Sequence, residues 1–523
     1  MDGSDGGGYD AIVIGAGHNG LVTAAYLARS GMKTLLLEAR SMVGGTAASE
    51  PFAGATVNIC NCDHLTFRTT PVISELGLAG HGLDYLDVEP AQHNMAWDGH
   101  GTTPGWSHHH DLDATLESLG RHHPGEVDNY RSYVKAARPA IEMVFAAAAE
   151  PPTLAGLARI ALGRRLAGTP TLLRWSRRSA ADVLRSYFSA DAVTGPGAMT
   201  GPMVWGISPE FDGSGLGALT HAMRHVGKVG RPVGGSGQVT ESVLAAFEAA
   251  GGELRVESPV ASVMCTGDGV RGVALVDDTE FEAPVVVSAC NPHDTFLRWL
   301  TNPPAAAADL IARWRGVPHA EGYESKIDAV LTAPPVLKDH DMPLGPTTVI
   351  APTLSDIDRG YHLMQRGEIL DRPGMLVNVP TLLDPTMAPP GRHVFSLEAL
   401  FTPYGFTGAN GTGWASPDLR GAEPERWLEA FAELCEPGFF DSIVDWRAMT
   451  PAVYESDFHL PAGHATSFAG GPLAALRNPN PELTKYETAV DGLYLTGAAT
   501  FPGAGVWGAS GRNCATVVLA HRS

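Results

Sequence analysis

Residues 9–20 decide the fold, and they read Tyr9-Asp10-Ala11-Ile12-Val13-Ile14-Gly15-Ala16-Gly17-His18-Asn19-Gly20. The apolar, β-branched run before the first glycine predicts a buried parallel strand. Apolar residues then recur at helical spacing, and a second predicted strand ends in an acid, Thr34-Leu35-Leu36-Leu37-Glu38. Strand, glycines, helix, strand and acid in this order predict a βαβ unit that binds a dinucleotide; a simple turn before a helix does not account for all five features.

Each part of this unit has a physical role. Gly15 allows the tight turn, Gly17 lets a pyrophosphate approach the backbone, and Gly20 lets the helix pack closely on the strand. The helix N-terminus supplies N–H groups and partial positive charge. We expect Glu38 to accept hydrogen bonds from ribose hydroxyls, and its charge disfavours the 2′-phosphate of NADP. The remaining predicted contacts of this loop are Ala16, His18 and Asn19.

The residues after the acid favour one dinucleotide. They read Glu38-Ala39-Arg40-Ser41-Met42-Val43-Gly44-Gly45-Thr46. A second glycine pair just beyond the ribose acid resembles the pattern of FAD proteins of the glutathione-reductase and amine-oxidase type, where the backbone turns back along the dinucleotide. The resemblance implies FAD, held non-covalently, with further contacts from Ala39, Arg40, Gly44, Gly45 and Thr46.

The C-terminal end carries a second glycine-rich loop between a predicted strand and helix. Its glycines are Gly497, Gly503, Gly505, Gly508 and Gly511. A helix N-terminus at this place can stabilise negative charge on a reduced flavin. The predicted flavin contacts of this loop are Gly497, Gly505, Val506 and Trp507.

Together the two ends resemble the phytoene dehydrogenase-related flavoproteins, which include bacterial-type carotenoid desaturases, flavin-dependent carotenoid ketolases and uncharacterised relatives. The stretches 231–237 and 383–404 strengthen the resemblance. It implies an α/β fold in which a Rossmann-like FAD-binding domain of the glutathione-reductase or amine-oxidase type carries an inserted α+β substrate domain. It also implies that Val260 meets the adenine through its backbone.

The predicted FAD-binding domain is discontinuous and comprises residues 1–84, 232–296 and 486–523, whereas residues 85–231 and 297–485 form the substrate-binding domain. The chain has no second nucleotide fingerprint following a strand and no CxxC pair. Electrons are therefore expected to leave the flavin to oxygen, a quinone or another free acceptor.

Sequence constrains the catalytic groups less than the cofactor, because hydride transfer to a flavin needs positioning more than side-chain chemistry. By resemblance, residues 58–64 return beside the isoalloxazine, and Asn61 and His64 are candidates there. His464 is a candidate acid or base. Cys60, Cys62 and His64 make a poor zinc pattern, so no metal is expected. The run His108–His110 is interpreted as a solvated loop.

The amino-acid composition limits the possible binding partners and the expected cellular location. The formal net charge of −21 disfavours nucleic acid. Six cysteines in 523 residues fit a reducing cytoplasm, and neither a signal peptide nor an apolar run of about 18 residues is present. Six arginines and no acid lie in residues 154–181. A basic amphipathic helix there could rest on a membrane; an exposed or oligomer-facing helix, as in a homo-oligomer, is the plainer interpretation.

The sequence therefore predicts an FAD-dependent dehydrogenase or desaturase that removes a hydride from a C–H of a small apolar substrate, such as an isoprenoid or alicyclic compound. An oxidase or ketolase on the same scaffold is the second enzyme hypothesis. A hypothesis from another class is a non-catalytic prenyl or lipid escort protein, because such proteins use a related fold.

Overall fold

The computed structural model describes residues 8–60, 63–267, 269–339, 342–408, 413–415, 423–464, 467–468 and 475–522. Two sheets organise the described chain. The nucleotide sheet has five parallel strands, in the order Leu493–Leu495, Val286–Ser288, Ala11–Ile14, Thr34–Leu37 and Glu253–Arg255. Apart from the edge strand Glu253–Arg255, these strands are short, mainly apolar runs, because both faces of the sheet are covered.

Three helices cover one face of the nucleotide sheet: His18–Arg29, Gly237–Ala249 and Ala509–Arg522. The other face packs against a four-stranded sheet and the helix Ala308–Gly316. The strands of this smaller sheet are Glu280–Glu282, Gly269–Leu275, Val260–Thr266 and Leu300–Thr301. The helix Gly237–Ala249 begins at a residue whose N–H donates to the Ser49 hydroxyl at 2.9 Å.

The second, or substrate, sheet has seven strands, and all but one neighbouring pair are antiparallel. Their order is Ile443–Met449, Glu324–Leu331, His393–Leu400, Gly374–Asn378, Thr348–Ala351, Gln92–Ala96 and Trp106–His108. One face packs on the helix Glu423–Ala432 through Ile327, Phe395 and Trp427. Part of the opposite face, which we term the inner face, is covered by a helical layer.

Within this helical layer, the helices Val127–Ala148, Ala180–Arg185 and Asp191–Met199 and the 3-10 segment Ser214–His225 pack on the apolar part of the inner face. The other α-helices of the described chain are Val72–Glu75, Leu112–His122, Leu154–Gly163, Thr169–Trp175, Leu354–Met364, Phe439–Ser442, Pro451–Phe458 and Glu482–Lys485. A short antiparallel pair joins Tyr85–Asp87 to Gly230–Pro232.

A β-hairpin connects the two sheets. Its strands, Ser49–Phe52 and Ala55–Asn58, follow the second glycine pair directly. Val57 packs on Val330 and Val394 of the substrate sheet. The hairpin therefore carries the chain from the dinucleotide loop to the substrate sheet and fixes the position of Asn58.

The nucleotide-sheet strands come from residues 11–37, 253–288 and 493–495, and the substrate-sheet strands from 92–108 and 324–449. The domain limits expected from the sequence remain a prediction. The basic stretch 154–181 does not form one helix: two helices are separated by a turn in which Arg165 and Leu166 adopt positive φ angles of 52° and 61°. Residues in this region of φ/ψ space cannot continue a right-handed helix.

Candidate functional site

The first glycine loop has the geometry that a dinucleotide requires. Gly15 has φ +93°, and a Cβ there would lie 2.9 Å from the Cys290 sulfur. A Cβ on Gly20 would fall on the carbonyl oxygen of Gly15, so only glycine permits this helix–strand packing. In contrast, a Cβ on Gly17 would meet no described atom within 4 Å. The Gly17 side of the loop is therefore open, as the approach of a pyrophosphate demands.

The predicted ribose acid lies beside this loop. Glu38 is buried, and its carboxylate accepts hydrogen bonds from the N–H groups of Ala16 (2.8 Å) and Arg40 (2.9 Å). Its carbonyl oxygen accepts the N–H of Ser258 at 2.8 Å. The last bond brings Val260, the first residue of its strand, to the same edge of the nucleotide sheet. Each carboxylate oxygen keeps a further acceptor position for a ribose hydroxyl.

The second glycine pair faces the first loop. The N–H of Gly44 donates to the carbonyl of Ala16 at 2.8 Å, and a Cβ on Gly45 would lie 3.4 Å from the Cα of Gly17. Both residues have positive φ angles, 110° and 55°. Thr46 is the middle residue of the following 3-10 turn. The two loops thus form opposite sides of one narrow space.

The C-terminal glycine loop meets the first helix. The N–H of Gly511 donates to the Asn19 side chain at 3.3 Å, and the Thr23 hydroxyl donates to the Gly511 carbonyl at 3.0 Å. Burial lowers the pKa of His18 to about 4, against the raising effect of the Gly505 backbone beside its ring. The two ends of the chain therefore build one site, as the sequence predicts.

Internal contacts hold the C-terminal loop in place. The Thr500 hydroxyl donates to the carbonyl of Gly497 at 3.0 Å and also bonds the Ser510 hydroxyl. The Val506 carbonyl accepts the Thr66 hydroxyl at 2.7 Å. Trp507 is buried, donates to the Ala504 carbonyl at 2.9 Å, and packs edge-on against Phe145 of the helix Val127–Ala148. Direct flavin contacts of this loop remain a prediction.

Of the catalytic candidates, His64 is held inside the protein. Its ring nitrogens bond the hydroxyls of Tyr85 (3.1 Å) and Ser236 (2.8 Å), and burial lowers its pKa to about 3. Both ring nitrogens are thus engaged with hydroxyl groups of the protein, and a catalytic role of His64 remains a prediction. Asn61 lies outside the described residues. Burial lowers the pKa of His464 to about 4, and its ring lies 5.3 Å from that of Tyr323.

A polar pocket lies where the hairpin meets the inner face of the substrate sheet. The ammonium of Lys326 donates to the carbonyl of Asn58 at 2.7 Å and also bonds the carboxylate of Asp328. The residues that line this pocket are Asn58, Cys60, Lys326, Asp328, Thr347, Leu376, Asn378, Pro380, Val394, Ser396 and Glu398. Cys60 and Asn58 belong to the stretch that the sequence places beside the isoalloxazine.

Sequence reasoning missed the charged part of this pocket. Glu324, Lys326 and Asp328 alternate along one strand and so share one face. An apolar strand interrupted by three charges at every second residue is a signal that could have been found. Glu398 could not have been found from the sequence, because it lies opposite Lys326 only through the register of two strands about 70 residues apart.

The histidine run is not a solvated loop. His108 ends the strand Trp106–His108 and is fully buried, with Tyr130, His221 and His225 around its ring. Only His109 and His110 lie outside that strand. Among the residues that the structure describes, no group of three or more His, Cys, Asp or Glu side chains is placed to hold a metal ion.

The residues present fit FAD. Besides the open space over Gly17, the buried Nη1 of Arg40 has no hydrogen-bond partner among the described residues. The rest of that guanidinium pairs with Glu50 and lies over the Phe458 ring at 4.0 Å. Buried donors are nearly always paired, so an acceptor such as a cofactor oxygen suits this position. Gly15–Gly20, Glu38, Arg40, Gly44 and Gly45 would hold the dinucleotide.

Family models agree with this geometry. The model described as NAD(P)-binding Rossmann-like domain matches residues 13–74, and the model described as flavin containing amine oxidoreductase matches residues 108–519. The chain belongs to the flavin containing amine oxidoreductase family. As a member of this family it is an FAD-dependent oxidoreductase.

Relatives in the flavin containing amine oxidoreductase family match along nearly the whole chain. The rat pyridine nucleotide-disulfide oxidoreductase domain-containing protein 2 is 29% identical, over 98% of this chain and 93% of its own length. One component of the limonene dehydrogenase of Castellaniella defragrans is 26% identical (97% and 94%), and a lycopene-forming phytoene desaturase of Paracoccus is 25% identical (97% and 96%). The resemblance to phytoene dehydrogenase-related enzymes is confirmed.

A solved structure shows the same fold. Cyclohexylamine oxidase from Brevibacterium oxydans superimposes with a TM-score of 0.59 at 16% identity, over 99% of this chain and 100% of its own. The expected amine-oxidase type of fold is thereby confirmed. Over the part of the chain that the structure describes, no helix combines the length and apolarity needed to cross a bilayer.

Proposed function

We propose that this family member is a dehydrogenase of the desaturase type, which removes a hydride from a C–H of a substrate with an apolar isoprenoid or alicyclic body. Bound FAD supplies the two-electron acceptor. The main support is the position of the hairpin, which leads from the dinucleotide loops to the pocket lined by Asn58 and Lys326. The similarity of nearly the whole chain to the limonene dehydrogenase component and to phytoene desaturase supports an isoprenoid or alicyclic substrate.

The chain's own residues position the reacting groups in this proposal. The first glycine loop and Glu38 anchor the adenosine end, and the C-terminal loop, tied to Asn19, closes on the flavin end. Lys326 holds the Asn58 backbone and so fixes the floor of the pocket against the sheet. Because the chain has no CxxC pair, we propose that electrons pass to a free acceptor such as oxygen or a quinone.

The test is anaerobic reduction of the bound flavin. Purified holoenzyme is mixed with alicyclic and isoprenoid compounds, and the flavin absorbance is followed; bleaching by such a compound, with a product that contains one more double bond or an oxidised carbon, is expected. Incorporation of an oxygen atom from O₂ would instead support the ketolase hypothesis. A flavin that dithionite bleaches but no alicyclic or isoprenoid compound does would contradict the proposal.

We also propose a peripheral membrane contact through the basic stretch. Leu154, Leu162 and Leu166 expose 72%, 69% and 51% of their surface there. Arg165, Arg174 and Arg177 have no ion pair among the described residues, whereas Arg159 and Arg164 pair with Glu150 and Glu142. Exposed leucines beside unpaired arginines suit an anionic bilayer, which would also present a lipid-soluble substrate.

A further inference from the structure

Five charged side chains form a continuous series of ion pairs between the dinucleotide loops and the pocket. Lys326 pairs with one carboxylate oxygen of Asp328, and Arg447 donates from Nε to the other oxygen at 3.2 Å. Nη1 of Arg447 lies 3.4 Å from one oxygen of Glu50, whose second oxygen pairs with Arg40. Positive and negative charges therefore alternate from Lys326 to Arg40, and we term these five residues the ion-pair chain.

The two ends of the ion-pair chain lie in different parts of the molecule. At one end, the N–H of Arg40 donates to the carboxylate of Glu38 at 2.9 Å, and the second oxygen of Glu38 accepts the N–H of Ala16 in the first glycine loop. At the other end, Lys326 lines the pocket and donates to the carbonyl of Asn58. The ion-pair chain thus begins at the predicted ribose acid and ends in the pocket.

Glu50 joins the two halves of the ion-pair chain. Asp328 and Arg447 are direct neighbours on adjacent strands, so the register of the substrate sheet fixes their pairing. Arg40, in contrast, follows the second strand of the nucleotide sheet. Glu50 lies on the hairpin strand Ser49–Phe52, and its two oxygens bond one arginine from each of these regions. Loss of its charge would therefore disconnect the dinucleotide side from the substrate sheet.

The ion-pair chain is largely shielded from water. The exposed fraction of its side chains ranges from 0% at Asp328 to 25% at Arg447. Aromatic rings hold both guanidinium groups: that of Arg40 lies over Phe458 at 4.0 Å, and that of Arg447 over Phe52 at 5.3 Å. Salt screens buried ion pairs much less than exposed ones, and removing one member leaves its partner buried and unpaired. A change at one member should therefore alter the position of its neighbours.

The dinucleotide end of the ion-pair chain keeps an unused donor. Nη1 of Arg40 is buried and has no hydrogen-bond partner among the described residues, whereas Nη2 pairs with Glu50. A guanidinium is planar and its donors have a fixed arrangement, so holding one Nη sets the direction of the other. Glu50 therefore sets the direction of the donor that suits a cofactor oxygen.

We propose that Glu50 is a positioning residue that couples FAD binding to the geometry of the pocket. It orients Arg40 for the cofactor and, through Arg447, restrains Asp328 and Lys326 in the pocket. Coupling of this kind is reciprocal: a change in the pocket that loosens the ion-pair chain weakens FAD binding, just as loss of FAD loosens the pocket. This role goes beyond the proposed function, because it concerns the cofactor and holds for any substrate.

The first test measures FAD affinity and needs no substrate. Holoenzyme is diluted, and the fluorescence of the released FAD gives the dissociation constant. Glu50→Gln should raise this constant about tenfold, and Asp328→Asn should raise it about fivefold although Asp328 belongs to the substrate sheet. The matched control is Glu126→Gln, which removes a buried acid that bonds Ser189 and Ala190 outside the ion-pair chain. It should lower the thermal unfolding temperature and leave the FAD affinity unchanged.

The second test shows whether the effect of the pocket on FAD is transmitted through Glu50. After Glu50→Gln, the additional change Asp328→Asn should weaken FAD binding no further, and Glu50→Asp, which keeps the charge, should retain most of the affinity. If Glu50→Gln does not fold, Arg447→Gln takes its place in the double variant. An unchanged dissociation constant in Asp328→Asn, additive losses in the double variant, or an equal loss in Glu126→Gln would overturn the proposed coupling. Because no substrate is used, none of these results alters the proposed function.

Discussion

The ammonium of Lys326 lies 2.7 Å from the carbonyl oxygen of Asn58 and joins the substrate sheet to the hairpin that leaves the dinucleotide loops. The same lysine bonds Asp328, which Arg447 also contacts. This buried lysine therefore fixes the position of the substrate sheet relative to the hairpin.

Replacing Lys326 with Met should destabilise the fold, because Asp328 would remain buried with only one of its two cations. We expect a loss of about 3 kcal/mol in the free energy of unfolding. The double variant Lys326→Met/Asp328→Asn should lose less than the sum of the single changes, by about 1–3 kcal/mol. Chemical unfolding of the four proteins measures this coupling, and strict additivity would show that the pair contributes nothing.

Substitutions in the first glycine loop should separate cofactor binding from folding. Gly17→Val places its side chain in the open space of the loop, so the protein should fold normally and lose its flavin. Gly20→Ala meets the Gly15 carbonyl and should lower the free energy of unfolding by about 1–3 kcal/mol. Flavin absorbance and thermal unfolding distinguish the two effects. A folded Gly17→Val protein with full flavin would refute the placement of the pyrophosphate.

Acid should destabilise the protein through its buried histidines. Burial lowers the pKa of His221 to about 3, whereas an unfolded histidine titrates near 6.5. Between these values the unfolded state binds the additional proton, so stability falls as the pH decreases from about 6.5.

His221→Phe tests this effect, because both ring nitrogens lack hydrogen-bond partners among the described residues and the ring lies between aromatic side chains. Relative to the wild type, the variant should gain about 2 kcal/mol between pH 7.5 and pH 4.5. His100→Phe, at an exposed position, is the control. Equal pH slopes for wild type and His221→Phe would contradict the prediction.

The exposed leucines allow a test of the membrane contact. Leu162→Glu/Leu166→Glu should reduce binding to phosphatidylglycerol vesicles by about tenfold or more, because each buried leucine contributes roughly 1.5–3 kcal/mol. Val276→Glu, also at a highly exposed position but in the nucleotide half, is the matched control. Vesicle flotation measures the effect. If the wild-type protein does not bind the vesicles, the basic stretch is better interpreted as an oligomer-facing helix. Sedimentation would then show whether the protein forms a homo-oligomer.

The dinucleotide side was predictable because its signals are local. The strand, Gly15, Gly17, Gly20 and Glu38 lie within 28 residues, and each requirement is a backbone property that the sequence expresses directly. The pocket was less predictable, since tertiary contacts create it. Sequence singled out His64 for its polarity, but Tyr85 and Ser236, which occupy its nitrogens, are 21 and 172 residues away. Sheet register, rather than any motif, brings Glu398 opposite Lys326.

The decisive measurement is the structure of the holoenzyme with its native cofactor. We expect one FAD, with its pyrophosphate over Gly17 and its isoalloxazine between the C-terminal glycine loop and the pocket lined by Lys326 and Glu398. An isoalloxazine remote from that pocket, or a nicotinamide dinucleotide in the first glycine loop, would contradict it.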